Sequence, residues 1–115
     1  MISKQHRFHG LGSLNFAYRK GQTVRGQLLS VRYIRNNRLS SYRVAVVVSK
    51  KVHKSAVVRN RIRRRIYEIV RSIEPNITQP YDIVITVHSD LAADIDHTEL
   101  VKTLTTALKN AHVVN

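Results

Sequence analysis

Apolar positions along this chain follow two periods. Between Val58 and Ile73 they recur at helical spacing. Turned by about 100° per residue, Val58, Ile62, Ile66, Ile69, Val70 and Ile73 share one arc. Asn60, Arg61, Arg64, Tyr67, Glu68 and Arg71 fall opposite, with Arg63 and Arg65 on the flanks. The pattern predicts an amphipathic helix that stops by Pro75. A period of two governs the strands. Residues 24–34 read as one long strand, with Leu29, Val31 and Tyr33 on one face and Leu28, Ser30, Arg32 and Ile34 on the other. Arg35, Asn36, Asn37 and Arg38 supply turn chemistry after it. Residues 43–49 are apolar at every interior position, which predicts a central strand buried on both faces. Residues 81–87 read as a further strand.

Two more helices complete the pattern. The first spans residues 13–20, with Ser13 as N-cap and Gly21 just past its end; Leu14 and Tyr18 share a face while Phe16 points elsewhere. The last spans residues 98–111, opened by Asp96 and Glu99 as a capping box and buried through Leu100, Leu104, Ala107, Leu108 and Ala111. Strand, helix and strand over residues 43–87 make a βαβ unit, so those two strands should run parallel. No repeat, linker or low-complexity tract divides the 115 residues. They read as a single α+β domain preceded by a mobile, basic, phosphate-touching arm at residues 1–12.

Charge sharpens this picture. Residues 1–67 hold 5 Lys and 12 Arg with no acid, a charge of +17; the remainder holds 3 cations and all 7 acids, leaving a net +13. Arg59–Arg63 and Arg61–Arg65 are like-charge pairs one helical turn apart, and Arg61–Arg64 is another. Each costs an isolated helix roughly 0.2–0.5 kcal/mol. A merely solvated face usually mixes signs, and this one scarcely does. A membrane-surface helix would need a broad exposed apolar face, whereas this aliphatic arc suits docking on a sheet. Arg outnumbers Lys 13 to 7, which favours forked recognition of phosphates and stacking on bases. Nucleic acid is the expected partner.

Catalytic chemistry is not apparent. No acid precedes Glu68, and Asp90, Asp94 and Asp96 fall together where turn and capping roles, or a weak Mg²⁺ site, are the readings. Ser49, Ser55, His53, His88, His97 and His112 show no nucleophile–base spacing, and His6 with His9 makes a poor metal pair. The chain has no cysteine, no signal-like apolar run in its first ten residues and no stretch long enough to span a bilayer. A soluble, cytoplasmic protein without disulfides is expected.

Ser49-Lys50-Lys51-Val52, followed by Ala56-Val57 and then Arg59-Asn60-Arg61-Ile62 and Arg64, closely resembles the signature of the protein subunit of bacterial ribonuclease P. The resemblance extends to Leu14, Tyr18 and Gly21, to Val24-Arg25-Gly26 and to Tyr81-Asp82-Ile83-Val84-Ile85, nearly the whole chain. It implies a two-layer α/β sandwich in the order α-β-β-β-α-β-α, with a four-stranded mixed sheet and a left-handed central βαβ crossover, against the usual right-handed rule. It also implies a function. The catalytic centre would lie in a partner RNA with Mg²⁺, the complex would cut the 5′ leader from precursor tRNA, and no protein partner would be required. Lys50, Lys51, Arg59, Asn60, Arg61, Arg63, Arg64 and Arg65 would contact that RNA's phosphates and sugars, which sets register more than sequence choice. Leu14, Phe16, Tyr18, Arg32 and Tyr33 would line a leader groove between the first helix and the sheet. Leu14 and Arg32 stand where the family often has aromatics, with Phe16, Tyr33 or the Arg32 plane as compensation. An RNA binder of ribosomal or chaperone type, with no leader groove, and a free-standing nuclease are the competing readings.

Overall fold

Ser55 starts the principal helix. Its backbone is extended and its hydroxyl accepts a hydrogen bond from the Val58 amide at 3.4 Å, pairing one of the N–H groups that a first turn leaves open. In this computed structural model, which describes residue 6, residues 17–38 and residues 40–114, that helix (α1) runs Ala56–Ser72. Ile62, Ile66, Ile69 and Val70 are buried along one side of it. A 3-10 turn at Glu74–Asn76 carries Pro75 and ends the helical path.

Four strands form one sheet: β1 (Gln22–Val24), β2 (Leu29–Arg35), β3 (Arg43–Val47) and β4 (Tyr81–Val87), in the order β1-β2-β4-β3. β2 is antiparallel to β1 and to β4, while β3 runs parallel to β4, as the βαβ reading requires. The register pairs Leu29 with Val87, Val31 with Ile85, Val44 with Ile83 and Val46 with Ile85. These side chains share one face and meet α1 and a second helix, α2 (His97–Asn110), through Leu100, Leu104 and Leu108. Residues 17–20 are helical and end at Gly21, whose amide donates to the Ala17 carbonyl at 2.9 Å. A Cβ at Gly21 would sit 2.5 Å from that oxygen, so no side chain fits there.

The structure corrects three expectations about strands and caps. The long strand expected at 24–34 is a hairpin: Arg25, Gly26, Gln27 and Leu28 connect β1 to β2, and a Cβ on Gly26 would lie 2.7 Å from the Leu29 carbonyl oxygen. Arg25, Gly26 and Gln27 form a polar, glycine-centred break that the reading of one continuous strand passed over. The strand expected at the centre, β3, lies at the edge; Val44 and Val46 are buried but Ala45 and Val47 only half-buried. β4 is central, with Asp82, Ile83, Val84 and Ile85 consecutively buried. Asp96 precedes α2 without a side-chain capping bond.

Two polar clusters tie the layers together. Asp82, fully buried, accepts from Arg43 Nε and Nη2 and from Asn36 Nδ2, all at 2.9 Å, so its charge has the partners that burial demands. His6 is also buried. Its ring stacks on Tyr42 with centroids 4.1 Å apart, its Nδ1 meets the Tyr42 carbonyl, and its Nε2 lies 2.9 Å from Glu74 Oε1. Tyr42 donates its hydroxyl to the same carboxylate at 2.8 Å. Burial, then the Glu74 hydrogen bond and charge, push the Tyr42 hydroxyl well above its ordinary range. His6, the one described residue of the basic arm expected at 1–12, thus contacts the body of the fold.

Ile66→Ala should destabilise the fold by about 2–5 kcal/mol, as a fully buried aliphatic deletion does. Chemical denaturation measures this. A midpoint equal to that of the parent protein would refute the helix rotation described here.

Candidate nucleic-acid interface

The cationic residues of α1 do not share one role. Asn60, Arg61 and Arg64 are exposed. Lys50 and Lys51 are exposed in the turn that leaves β3, closed by the Val52 amide on the Ser49 carbonyl at 3.1 Å. Arg61 makes a 3.1 Å ion pair with Asp94, both side chains largely in solvent, where such pairs contribute about 0–1 kcal/mol and yield readily to a polyanion. Arg63 donates to Asn60 Oδ1. Arg59 turns back over its own N-terminus, donating to the carbonyls of His53 and Lys54 at 3.1 Å. Arg65 is structural: it donates to the Ala92 carbonyl at 2.9 Å and the Ile95 carbonyl at 2.6 Å, fastening α1 to the 3-10 turn at Asp90–Ala93.

Tyr67, expected on the outward arc, packs against the core instead, and its hydroxyl accepts from the Val46 amide at 3.2 Å. The ring covers part of the edge strand β3 and meets a backbone donor there. A helical projection counts polar tips and overlooks the apolar body of tyrosine, which explains the error.

The second face of the sheet carries rows set by the register: Ser30, Thr86 and Val47; Arg32, Val84 and Ala45; Ile34, Asp82 and Arg43. Residues 17–20 sit over this face because Arg32 holds them. Its Nε donates to the Ala17 carbonyl at 2.9 Å, one Nη to Thr23 Oγ1 at 2.6 Å and the other to the Tyr18 carbonyl. Arg32 thus serves the open carbonyls of a helix end and positions Tyr18, which remains 41% exposed. Tyr33 lies on the opposite face, donating its hydroxyl to Gln22 Oε1 at 2.9 Å, so it does not join Arg32 and Tyr18 in one groove. Leu14 and Phe16 lie outside the described residues.

One pairing escaped sequence reasoning. Ser30 Oγ and His88 Nε2 are 2.7 Å apart on the second face, at the end of the sheet from which Lys50 and Lys51 emerge. The alternation in β2 placed Ser30, but only the register with β4 brings in a residue 58 positions away. Among the described residues no carboxylate hydrogen-bonds His88, so the pair lacks the orienting acid of a catalytic triad. Among those residues, too, no group of three or more His, Cys, Asp or Glu could hold a metal ion; Asp94 is engaged with Arg61, and Ser89 caps the turn beginning at Asp90 by accepting from the Leu91 amide. No described helix is long and apolar enough to cross a membrane.

The fold and site define a class: a small α+β protein with a mixed sheet, one cationic helix edge and one polar, half-open sheet face. Comparison with known proteins narrows it. The Ribonuclease P family profile matches residues 2–112. The ribonuclease P protein component of Pseudanabaena is 32% identical over 115 residues, covering 100% of this chain and 98% of the relative. That of Clostridium botulinum is 34% identical over 113 residues, covering 97% and 99%. The solved RNase P protein of Staphylococcus aureus is 28% identical and superposes with a TM-score of 0.85 over 96% of this chain and 98% of its own. The chain belongs to the ribonuclease P protein family.

Arg65→Ala should lower stability by about 1–3 kcal/mol, since the carbonyls of Ala92 and Ile95 lose their donor. Arg64→Ala should stay within about 0.5 kcal/mol of the parent. Thermal melts of the two variants side by side check this; equal shifts would contradict the division of roles.

Proposed function

We propose that this chain is the protein subunit of a ribonucleoprotein endoribonuclease that removes the 5′ leader of precursor tRNA. The observation that carries the reading is the exposed set Lys50, Lys51, Asn60, Arg61 and Arg64 on a chain of this family. Cations so placed neutralise phosphates and release condensed counterions when a folded RNA docks. Arg59 and Arg63 flank the set, half-buried and anchored locally, and add charge without extending far into solvent. The bond-breaking chemistry belongs to the partner RNA and its Mg²⁺.

The leader lies along the second face of the sheet in this reading. Tyr18 offers a ring for a base, Thr86 and the Ser30–His88 pair offer hydrogen-bonding groups, and half-buried Ala45 and Val47 form an apolar floor. Arg32 acts here through the helix end it holds, not by stacking. The protein works in the cytoplasm with two RNA partners, catalytic RNA and precursor tRNA, and needs neither membrane nor a second protein.

Reconstitution tests the proposal. Adding the protein to a bacterial ribonuclease P RNA at low Mg²⁺ should stimulate leader removal from precursor tRNA, and absence of stimulation would refute it. Affinity for the RNA should fall by roughly 0.7–0.9 log units per log unit of salt for each phosphate contact. Arg61→Ala and Arg64→Ala should each flatten that slope by about one contact.

A further inference from the structure

The cations of α1 and the Lys50 turn account for only part of the acid-free first portion of the chain. Arg19, Lys20, Arg25, Arg35 and Arg38 are exposed elsewhere. β1 and β3 are the two outer strands of the sheet, and Lys50 follows the C-terminal end of β3. Tyr33, Arg35 and Tyr81 lie at the other end, since Arg35 pairs with Tyr81 and Tyr33 with Ile83. Arg25 sits in the β1–β2 turn at the Lys50 end, whereas Lys20 and Arg35 lie at the corner of the sheet diagonally opposite the Lys50 turn.

That corner holds a cavity of about 230 Å³ lined by Lys20, Gln22, Tyr33, Ile34, Arg35 and Tyr81. Two tyrosine rings meet edge to face in it, centroids 6.3 Å apart at 67°. Gln22 orients the Tyr33 hydroxyl. Among the described residues the hydrogen-bond partners of Arg35 are neutral, Asn37 Oδ1 at 3.1 Å and Gln79 Oε1 at 2.8 Å. Among the described residues Lys20 and Arg35 have no acidic partner. The larger cavity beside α1, about 360 Å³, is lined by Asp90 and Asp94 and suits a polyanion poorly.

We propose that the Tyr33–Tyr81 cavity is a second nucleic-acid site that takes one unpaired RNA nucleotide, its base against the tyrosine rings and its phosphate between Lys20 and Arg35. The chemistry is that of single-strand binding: aromatic faces accept any base, and flanking cations hold the backbone. The cavity falls below the roughly 300 Å³ at which sites for drug-sized ligands begin, which fits one ring system and not a larger cofactor. This site lies off the leader face and gives Tyr33 a role there. It rests on the reading of the protein as an RNA binder.

Photocrosslinking of the full chain to a single-stranded oligouridylate carrying thiouridine tests it, with adducts mapped by mass spectrometry. Adducts are expected on the Tyr33 or Tyr81 peptide, separate from those near Tyr18 and α1. Tyr81→Leu should remove the Tyr81 adduct and weaken binding by roughly fivefold or more, the loss typical of one stacked base. Should that partly buried substitution disturb the fold, Lys20→Ala combined with Arg35→Gln, both exposed, should deplete the same adducts and flatten the salt slope by about 0.7 for each lost contact. Adducts confined to the α1 and Tyr18 peptides would overturn the second site and leave the proposed function standing. No adduct anywhere, with no binding, would overturn both.

Discussion

Everything in this protein follows from how α1 is rotated on the sheet. Ile62, Ile66, Ile69 and Val70 are each at most 1% exposed, and burying such side chains contributes about 1.5–3 kcal/mol apiece. Since successive residues turn by a fixed angle, seating that row on β3 and β4 leaves Arg64 no direction but outward, and Asn60 and Arg61 little more. The repulsion among the arginines is small beside this burial, so the hydrophobic row prevails. The cationic edge is thus presented by the core, and it needs no acid of the helix to hold it in place.

The second face is organised by different means. Here one guanidinium, that of Arg32, gathers the last carbonyls of the 17–20 helix and Thr23 and so sets where Tyr18 stands. Asp82, Arg43 and Asn36 lock one end of the same face. Half-buried Ala45 lies between that lock and the row of Ser30, Thr86 and half-buried Val47, beside which His88 pairs with Ser30. This polar, partly open sheet surface, bordered by the buried Asp82–Arg43 pair, is the face along which the proposed leader would lie.

Much of this was legible beforehand. The helical arc, the parallel βαβ unit and the position of α2 follow from periodicity alone, and the Ser-Lys-Lys and Arg-Asn-Arg segments with their spacing carried the family resemblance. What failed did so for physical reasons. A strand apolar at every position reads as doubly buried, yet Ala45 and Val47 form an open floor and β4 takes the centre. The Arg25-Gly26-Gln27 break within the 24–34 stretch is a turn signal in the sequence, and the pairing of β1 with β2 makes it a hairpin. The family resemblance assigns Arg65 and Arg32 and helical projection assigns Tyr67, while the contacts they make depend on carbonyls and amides brought near only by the fold. The Ser30–His88 contact belongs to the same class: pairings across a sheet are properties of register, which no local window contains.

The central claim, that the outward edge of α1 holds a folded RNA, is tested most directly by arginine-specific modification with phenylglyoxal, read by mass spectrometry with and without a bacterial ribonuclease P RNA. Arg61 and Arg64 should react freely in the isolated protein and become protected when the RNA is bound, while Arg32 and Arg65 should react slowly in both states because their guanidinium groups are occupied. Equal reactivity of Arg61 and Arg64 in the two states, under conditions where the complex forms, would contradict the account.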